Sequence, residues 1–252
     1  MNKTCVTSLL FTIVVAVSCS ESAEPVEETV EQKVQEGEND SPDQEEAEET
    51  SDLIPSPTEE IPEGYKFFDQ VKGDLNKDGK EDIVLIIKGT DPAKWEMHDL
   101  LEEEVDRNRR GIMILFNRGE DYERVLSNED CFSSENEDGG VYFPPELSVR
   151  INNGKLYLDY GHGRYGHWTY NFRYQQEDFK LIGYEYNENF GPITEFIYSY
   201  NFLTGKKLTR ENINAHLDDP EADEKFEDTW EDLPKKELLS LKTIEDFDKL
   251  SF

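Results

Sequence analysis

Oxygen-bearing side chains alternate along one short stretch of the chain and lead to a glycine. Residues 73–82 read Gly-Asp-Leu-Asn-Lys-Asp-Gly-Lys-Glu-Asp, with Gly79 at the position of a sharp turn. Calcium is a hard cation that takes about six to eight oxygen ligands, and loops that bind it have this alternation. We therefore expect a structural calcium ion here. Its predicted ligands are the side chains of Asp74, Asn76, Asp78 and Asp82 and the backbone carbonyl of Lys80.

The residues after the loop indicate which kind of calcium loop this is. The run 83–87, Ile-Val-Leu-Ile-Ile, is typical of a buried strand. A helix-loop-helix hand would need Glu where Leu85 stands. The loop instead resembles the FG-GAP and VCBS-type repeats of integrin-like propellers, and also dockerin loops, although those continue as a helix. Only one copy of the pattern is present, which disfavours a full propeller. A metal-free turn rich in Asp and Asn is the alternative.

A glycine-rich stretch gathers a second set of reactive side chains. Residues 160–168 read Tyr-Gly-His-Gly-Arg-Tyr-Gly-His-Trp, and glycines allow a ligand to approach the backbone. The possible ligand-binding residues are His162, Arg164, Tyr165, His167 and Trp168. The histidines could exchange protons, the arginine could hold a carboxylate, and the tyrosine and tryptophan could stack on a sugar. The alternative is a glycine-rich corner between two strands whose rings fill the core.

The sequence contains none of the common catalytic motifs that would support an enzymatic function. The chain contains no nucleophile elbow, phosphate loop, His-Glu-x-x-His or Cys-x-x-Cys motif. Cys131 lies among the acidic residues Glu129, Asp130 and Glu135, whereas a reactive thiolate needs nearby positive charge. We therefore interpret Cys131 as a buried structural residue. A glycan- or peptide-directed hydrolase with a site near the two histidines and arginine of the glycine-rich stretch stays open as the alternative function.

The N-terminus has the pattern of a secretory signal. Lys3 precedes an apolar run that is shorter than the roughly 20 residues needed to span a bilayer, and small residues then lead to Cys19. This arrangement resembles the bacterial lipobox, in which a cysteine receives lipid and becomes the new N-terminus. We expect residues 1–18 to be a signal peptide and acylated Cys19 to hold the chain on a lipid bilayer.

Residues 19–63 are expected to form a disordered tether behind the anchor. This stretch is rich in acidic residues, Ser and Pro, and Lys33 is its one basic residue. It cannot bury enough apolar surface to offset the entropy of ordering. The whole chain has a formal net charge of −32, which argues against nucleic acid as a partner. Acidic residues soon after the lipidated cysteine also resemble the export signals of surface lipoproteins in Bacteroidetes.

The folded domain is predicted to span residues 64–252 and to be of the α+β class, mainly antiparallel β in a meander or sandwich-like sheet. Residues 111–116 and 122–126 are predicted to form one hairpin. Residues 147–151 and 155–160 are predicted to form another, because Asn153-Gly154 is a strong hairpin signal. One helix is predicted after the first strand, over residues 92–107. Short amphipathic helices are predicted after about residue 221.

The sequence as a whole is similar to uncharacterised lipoproteins of Bacteroidetes that carry the calcium loop, the strand around 111–116 and the glycine-rich stretch. That resemblance implies a place in the cell envelope, at the outer membrane, facing the periplasm or the cell surface. We expect a membrane-anchored protein with a calcium-stabilised binding or interaction domain. A glycan or a protein is its possible ligand.

Overall fold

The folded part consists of antiparallel strands in two large sheets. The computed structural model describes residues 57–98, 102–138, 143–217 and 223–252. The strands in these residues are β1 (Tyr65–Gly73), β2 (Asp82–Gly89), β3 (Trp95–His98), β4 (Glu103–Asp106), β5 (Arg110–Asn117), β6 (Tyr122–Phe132), β7 (Glu146–Asn152), β8 (Lys155–Gly161), β9 (Gly166–Gln175), β10 (Asp178–Phe190), β11 (Ile193–Asn201), β12 (Lys206–Asn212) and β13 (Phe226–Asp232). The mainly antiparallel β class is thus confirmed. The predicted signal peptide, Cys19 and the tether up to residue 56 lie outside the described residues.

Strand β2 is central to a four-stranded sheet with the order β1-β2-β5-β6. All of its residues are buried, as expected of a run that is apolar on both faces. Val84 and Ile86 belong to the main core cluster, and the alternate residues of β2 form a second cluster with Met113 and Leu115. Ile61 packs against that second cluster, so the fold includes residues that precede position 64.

The seven-stranded sheet is a simple meander in which the strands follow chain order from β7 to β13. The turn between β7 and β8 places Asn153 and Gly154 at φ angles of 52° and 68°. A tight turn with two positive φ angles matches the twist of the adjoining strands, and Asn-Gly adopts it at low cost. The hairpin predicted there is confirmed, and so is the hairpin of β5 and β6.

The main core lies between the two sheets, and the C-terminal segment closes one side of it. The stretch that ends at Ser240 runs beside β10, and Ser240 pairs there with Lys180 of β10. Leu241, Ile244 and Phe247 then enter the core. The side-chain amide of Asn128 in β6 donates hydrogen bonds to the carbonyl oxygens of Leu241 (2.6 Å) and Ile244 (2.8 Å). The segment therefore joins both sheets.

Strand β13 forms one edge of the seven-stranded sheet, and nearly all of its residues are exposed. Trp230, the largest of them, is 64% exposed. Three cross-strand ion pairs connect the strand to β12: Lys206 with Asp232 at 2.6 Å, Lys207 with Glu231 at 3.0 Å and Arg210 with Asp228 at 3.0 Å. Backbone pairing and these charges, with little apolar burial, hold this edge in place.

The prediction of a helix over residues 92–107 is wrong. A single 3-10 turn, Pro92–Lys94, is followed by the hairpin of β3 and β4, and residues 99–101 lie outside the described residues. Glu102 has a φ angle of 53°, which a right-handed helix does not contain. The extended conformation exposes the backbone carbonyl of Asp106 to the buried side chain of Lys88, a contact that the interior of a helix would prevent.

The prediction of short C-terminal amphipathic helices is also wrong. Residues after position 221 include β13, an extended stretch and two 3-10 turns, Leu241–Thr243 and Phe247–Lys249. Apolar residues recur here at intervals of three, which fits the three residues per turn of a 3-10 helix as well as an amphipathic α-helix. The described residues contain 3-10 turns where the sequence predicts α-helices, so the α+β assignment is not confirmed.

A buried ionic network lies at one end of β2. Lys88 is only 1% exposed, and its ammonium group donates to the carbonyl oxygen of Asp106 at 3.1 Å. The ammonium also forms ion pairs with the carboxylates of Asp106 (3.3 Å) and Glu135. Burial alone would raise the pKa of Asp106, but hydrogen bonds from Asn108 and the charge of Lys88 together hold that pKa below its usual value.

We expect Lys88→Ala to lower the free energy of unfolding by about 3 to 5 kcal/mol, because it leaves Asp106 without its buried counter-charge and Glu135 without its nearest one. Urea denaturation followed by circular dichroism measures this. Lys72→Ala, which removes an exposed lysine from the neighbouring strand, should change the same quantity by less than about 0.5 kcal/mol. Equal effects of the two substitutions would show that the network has no special role.

Candidate functional site

The predicted calcium loop connects β1 to β2, and Asp74 organises its backbone. One carboxylate oxygen of Asp74 accepts hydrogen bonds from the backbone N–H groups of Lys77 (2.6 Å) and Asp78 (3.2 Å). The other accepts from Gly79 at 3.0 Å. Gly79 has a φ angle of 85°, so the conformation itself favours glycine at this position. The loop is thus a tight turn whose N–H groups point toward one carboxylate.

Asn76 and Asp78 face each other within the same loop. The side-chain amide of Asn76 donates to the carboxylate of Asp78 at 3.2 Å, and its oxygen accepts from the Asp78 backbone at 2.8 Å. The backbone N–H of Lys80 donates to Asp78 at 2.9 Å. The Asn76 amide and the Asp78 carboxylate therefore provide oxygen donors within one turn, which is the chemistry that a hard cation requires.

Asp82, the last predicted ligand, is buried and binds the protein backbone. Its two carboxylate oxygens accept from the N–H groups of Leu75 (2.8 Å) and Asn117 (3.1 Å), which joins the loop to the end of β5. Burial raises the pKa of Asp82, and those hydrogen bonds act in the opposite direction. The described residues contain no group of three or more His, Cys, Asp or Glu side chains arranged around one ion. The donor chemistry of the loop fits calcium, with Asp74, Asn76 and Asp78 as the residues that could hold it.

The glycine-rich stretch forms the corner between β8 and β9. Gly163–Tyr165 is one 3-10 turn, and Gly166 follows with a φ angle of 110°. A Cβ atom at Gly166 would lie 1.9 Å from the carbonyl oxygen of Asn187, so only glycine fits. His162 Nε2 donates to the carbonyl oxygen of Phe143 at 3.0 Å, and its ring centroid lies 5.0 Å from that of Tyr165. Both glycine and histidine therefore have a structural role at this corner.

The corner does not gather the residues of a hydrolytic site. His167 and Trp168 are consecutive in β9, so their side chains lie on opposite faces of the sheet. No hydrogen bond or ion pair within the described residues joins His162 or His167 to a carboxylate. Arg164 and Tyr165 lie exposed in the turn itself. The geometry gives no support to proton transfer between these side chains.

Trp168 instead belongs to a continuous row of rings on the inner face of the seven-stranded sheet. It stacks on buried Tyr160 with a centroid distance of 5.2 Å. On the next strand Tyr186 lies 6.4 Å away, and Tyr198 lies 6.0 Å beyond Tyr186 in a parallel stack. Phe196 stacks on Tyr198 at 5.8 Å. Successive rings follow the cross-strand register of β9, β10 and β11.

We call this surface the aromatic face. Its members are Trp168, Tyr184, Tyr186, Phe196, Tyr198 and Tyr200. All six rings are half-buried; Trp168 and Tyr184 pack against the main core, whereas the other four belong to neither core cluster. Apart from Trp168, sequence reasoning missed these residues. Aromatic residues at alternate positions in two successive strands were the signal that could have found them.

Charged side chains lie at the borders of the aromatic face. The hydroxyl of Tyr198 donates to Glu188 at 3.3 Å, and burial, together with this carboxylate, raises the pKa of Tyr198 to about 12. The ammonium of Lys207 lies 5.5 Å from the ring centroid of Tyr198 and 5.6 Å from that of Tyr200. The surface thus combines flat apolar rings with one carboxylate and one ammonium group, both of which can form hydrogen bonds.

Cys131 has the structural role that its acidic neighbours indicate. Its side chain is fully buried, and the sulfur lies 3.5 Å from the carbonyl oxygen of Asn128. Burial raises the pKa of the thiol to about 12. A thiolate nucleophile is therefore not formed at neutral pH.

Comparison with protein-family models, curated proteins and solved structures gives no significant match. Among the described residues, no helix has the length and apolar character needed to cross a bilayer.

Proposed function

We propose that this chain is a lipid-anchored protein of the outer membrane whose β domain binds a ligand at the aromatic face. One observation carries the proposal: half-buried rings on three neighbouring strands form a continuous surface that extends beyond both core clusters. Extended apolar surfaces with a polar border are typical of binding sites. A binding module, and not an enzyme, is the function that this arrangement supports best.

A glycan is the ligand class that the aromatic face suits best. Rings held by β-strands form a rigid platform on which the C–H faces of sugar rings can stack, at little cost in side-chain entropy. The hydroxyl groups of Tyr186 and Tyr198 and the carboxylate of Glu188 provide partners for sugar hydroxyls at the same surface. A protein ligand would use the same rings, since Tyr and Trp are enriched in protein interfaces.

Tyr186→Ala and Tyr198→Ala should each weaken glycan binding by about fivefold, because each removes one stacking ring worth roughly 1 kcal/mol. An array of neutral and acidic oligosaccharides would identify the bound class, and titration calorimetry would give the affinities. Trp230→Ala is the matched control, since it removes an exposed ring from the opposite face of the sheet. Binding that is lost in the control, or no binding to any oligosaccharide, would contradict a glycan platform.

Calcium is proposed as a structural ion of this domain. Asp74, Asn76 and Asp78 would hold it, with the carbonyl of Lys80 and the carboxylate of Asp82 as the further predicted donors. The chain has no second cysteine in the domain with which Cys131 could form a disulfide. An ion at the start of β2 would hold the turn against the core strand, and the millimolar calcium outside cells suffices for a low-affinity site.

Saturating calcium should raise the midpoint of thermal unfolding, and a chelator should reverse the increase. The double variant Asp74→Asn/Asp78→Asn should abolish this shift, because each amide keeps an oxygen that can accept backbone hydrogen bonds but has lost the charge. Asp121→Asn, in the exposed turn between β5 and β6, should retain the full shift. If calcium leaves the midpoint of the unsubstituted protein unchanged, the loop is only a turn.

Membrane attachment is proposed to depend on acylated Cys19. One acyl chain gives only marginal binding to a bilayer, and several chains give durable attachment. Cys19→Ser should therefore move the protein from the detergent phase to the aqueous phase in a phase-partition assay and abolish incorporation of labelled palmitate. Cys5→Ser, within the predicted signal peptide, should change neither result. Continued palmitate labelling of the Cys19→Ser protein would refute this anchor.

A further inference from the structure

An apolar cavity of about 640 Å³ lies where the chain passes from β13 back to β10. Its walls come from the turn between β11 and β12, the extended stretch 233–239 and the last residues of the chain. The rings of Phe202 and Phe252 meet there, with centroids 5.0 Å apart, and Leu181, Leu233 and Leu238 complete the apolar lining. This volume is within the range of small-molecule sites, about 300 to 1,000 Å³.

The charges around this cavity are unlike those of the rest of the chain. Lys235 and Lys236 line it, both are exposed, and neither forms an ion pair or side-chain hydrogen bond within the described residues. Of the two acidic side chains in the lining, Asp232 pairs with Lys206 at 2.6 Å, whereas Glu237 forms no ion pair within the described residues. The unpaired charged side chains at the cavity are thus two lysines and one glutamate, an excess of one positive charge in a protein whose net charge is −32.

We propose that this cavity binds a small amphiphilic carboxylate, such as a free fatty acid. The apolar walls would take the hydrocarbon chain, and the two unpaired ammonium groups would take the carboxylate. A neutral hydrocarbon would leave these cations unused, and a cationic amphiphile would meet them with the same sign. The site is separate from the Tyr186–Tyr198 part of the aromatic face and goes beyond the proposed glycan binding.

The test is titration calorimetry of dodecanoate, below its micelle concentration, into the expected mature chain, residues 19–252, with Cys19→Ser so that no acyl chain is attached. We expect saturable binding of one equivalent and at least tenfold weaker binding of dodecyltrimethylammonium. Lys235→Gln/Lys236→Gln should weaken dodecanoate binding about tenfold, as expected for the loss of two ion pairs near the surface. The control Lys225→Gln/Lys242→Gln removes two exposed lysines elsewhere and should leave the affinity unchanged.

Equal affinity for the anionic and cationic amphiphiles, or equal loss of affinity in both double variants, would overturn the proposal. A third arm uses vesicles that contain phosphatidylglycerol. Binding to these vesicles without binding of free dodecanoate would assign the lysines to a membrane surface and would also overturn it. Tyr198→Ala should keep its affinity for dodecanoate, and Lys235→Gln/Lys236→Gln should keep its affinity for oligosaccharides, so failure of one site is distinguishable from failure of the other.

Discussion

The ammonium group of Lys88 determines how the chain is arranged around one end of the sheets. A buried cation is tolerated only when it is paired and hydrogen-bonded. The carbonyl oxygen of Asp106 accepts from Lys88 and also from the side chains of Ser134 and Asn136, both at 2.9 Å. This single carbonyl thus joins the central strand to β4 and to the stretch that follows β6. The short hairpin of β3 and β4 is extended because its last residue has to provide this contact.

The difference in size between the two sheets explains where the binding surfaces lie. A four-stranded sheet cannot cover a seven-stranded one, so the rings of β11 have few partners across the core. Cross-strand ring contacts, such as Tyr184 with Tyr200 at 5.7 Å, take the place of a second layer. The same surplus of sheet leaves space beneath the stretch 233–239. The aromatic face and the cavity both follow from this difference in size between the two sheets.

Local signals in the sequence were sufficient for part of this fold. The Asn153-Gly154 hairpin depends on backbone conformation alone, and the buried β2 run depends on β-branched residues that are apolar on both faces. The two errors in helix assignment concern stretches whose conformation depends on distant partners. Residues near Asp106 are extended because Lys88 requires it. Leu241 begins a 3-10 turn and Ile244 directly follows that turn because Asn128 binds their carbonyl groups.

Part of the candidate site could also be predicted from local signals in the sequence. Asp74, Asn76 and Asp78 are close in sequence, so their place in one turn was predictable. Trp168 was selected for its place in the glycine-rich stretch, but its neighbours Tyr186 and Tyr198 come from other strands. Only the register of three strands, including a bulge between Leu181 and Gly183, brings these rings together. The spacing of these residues along the sequence does not reveal that register.

The wall of the cavity next to β13 should open at a low cost in free energy. Strand β13, which leads into its wall, is attached through exposed cross-strand ion pairs, and such pairs are screened by salt and contribute little free energy. Segments with few buried apolar contacts open at a lower free energy than the global unfolding of the domain. Opening of this edge would separate the stretch 233–239 from the sheet while β2 and its ionic network stay closed. Amide hydrogens of β13 would then exchange with solvent well before those of β2, and a ligand would enter by the same local opening.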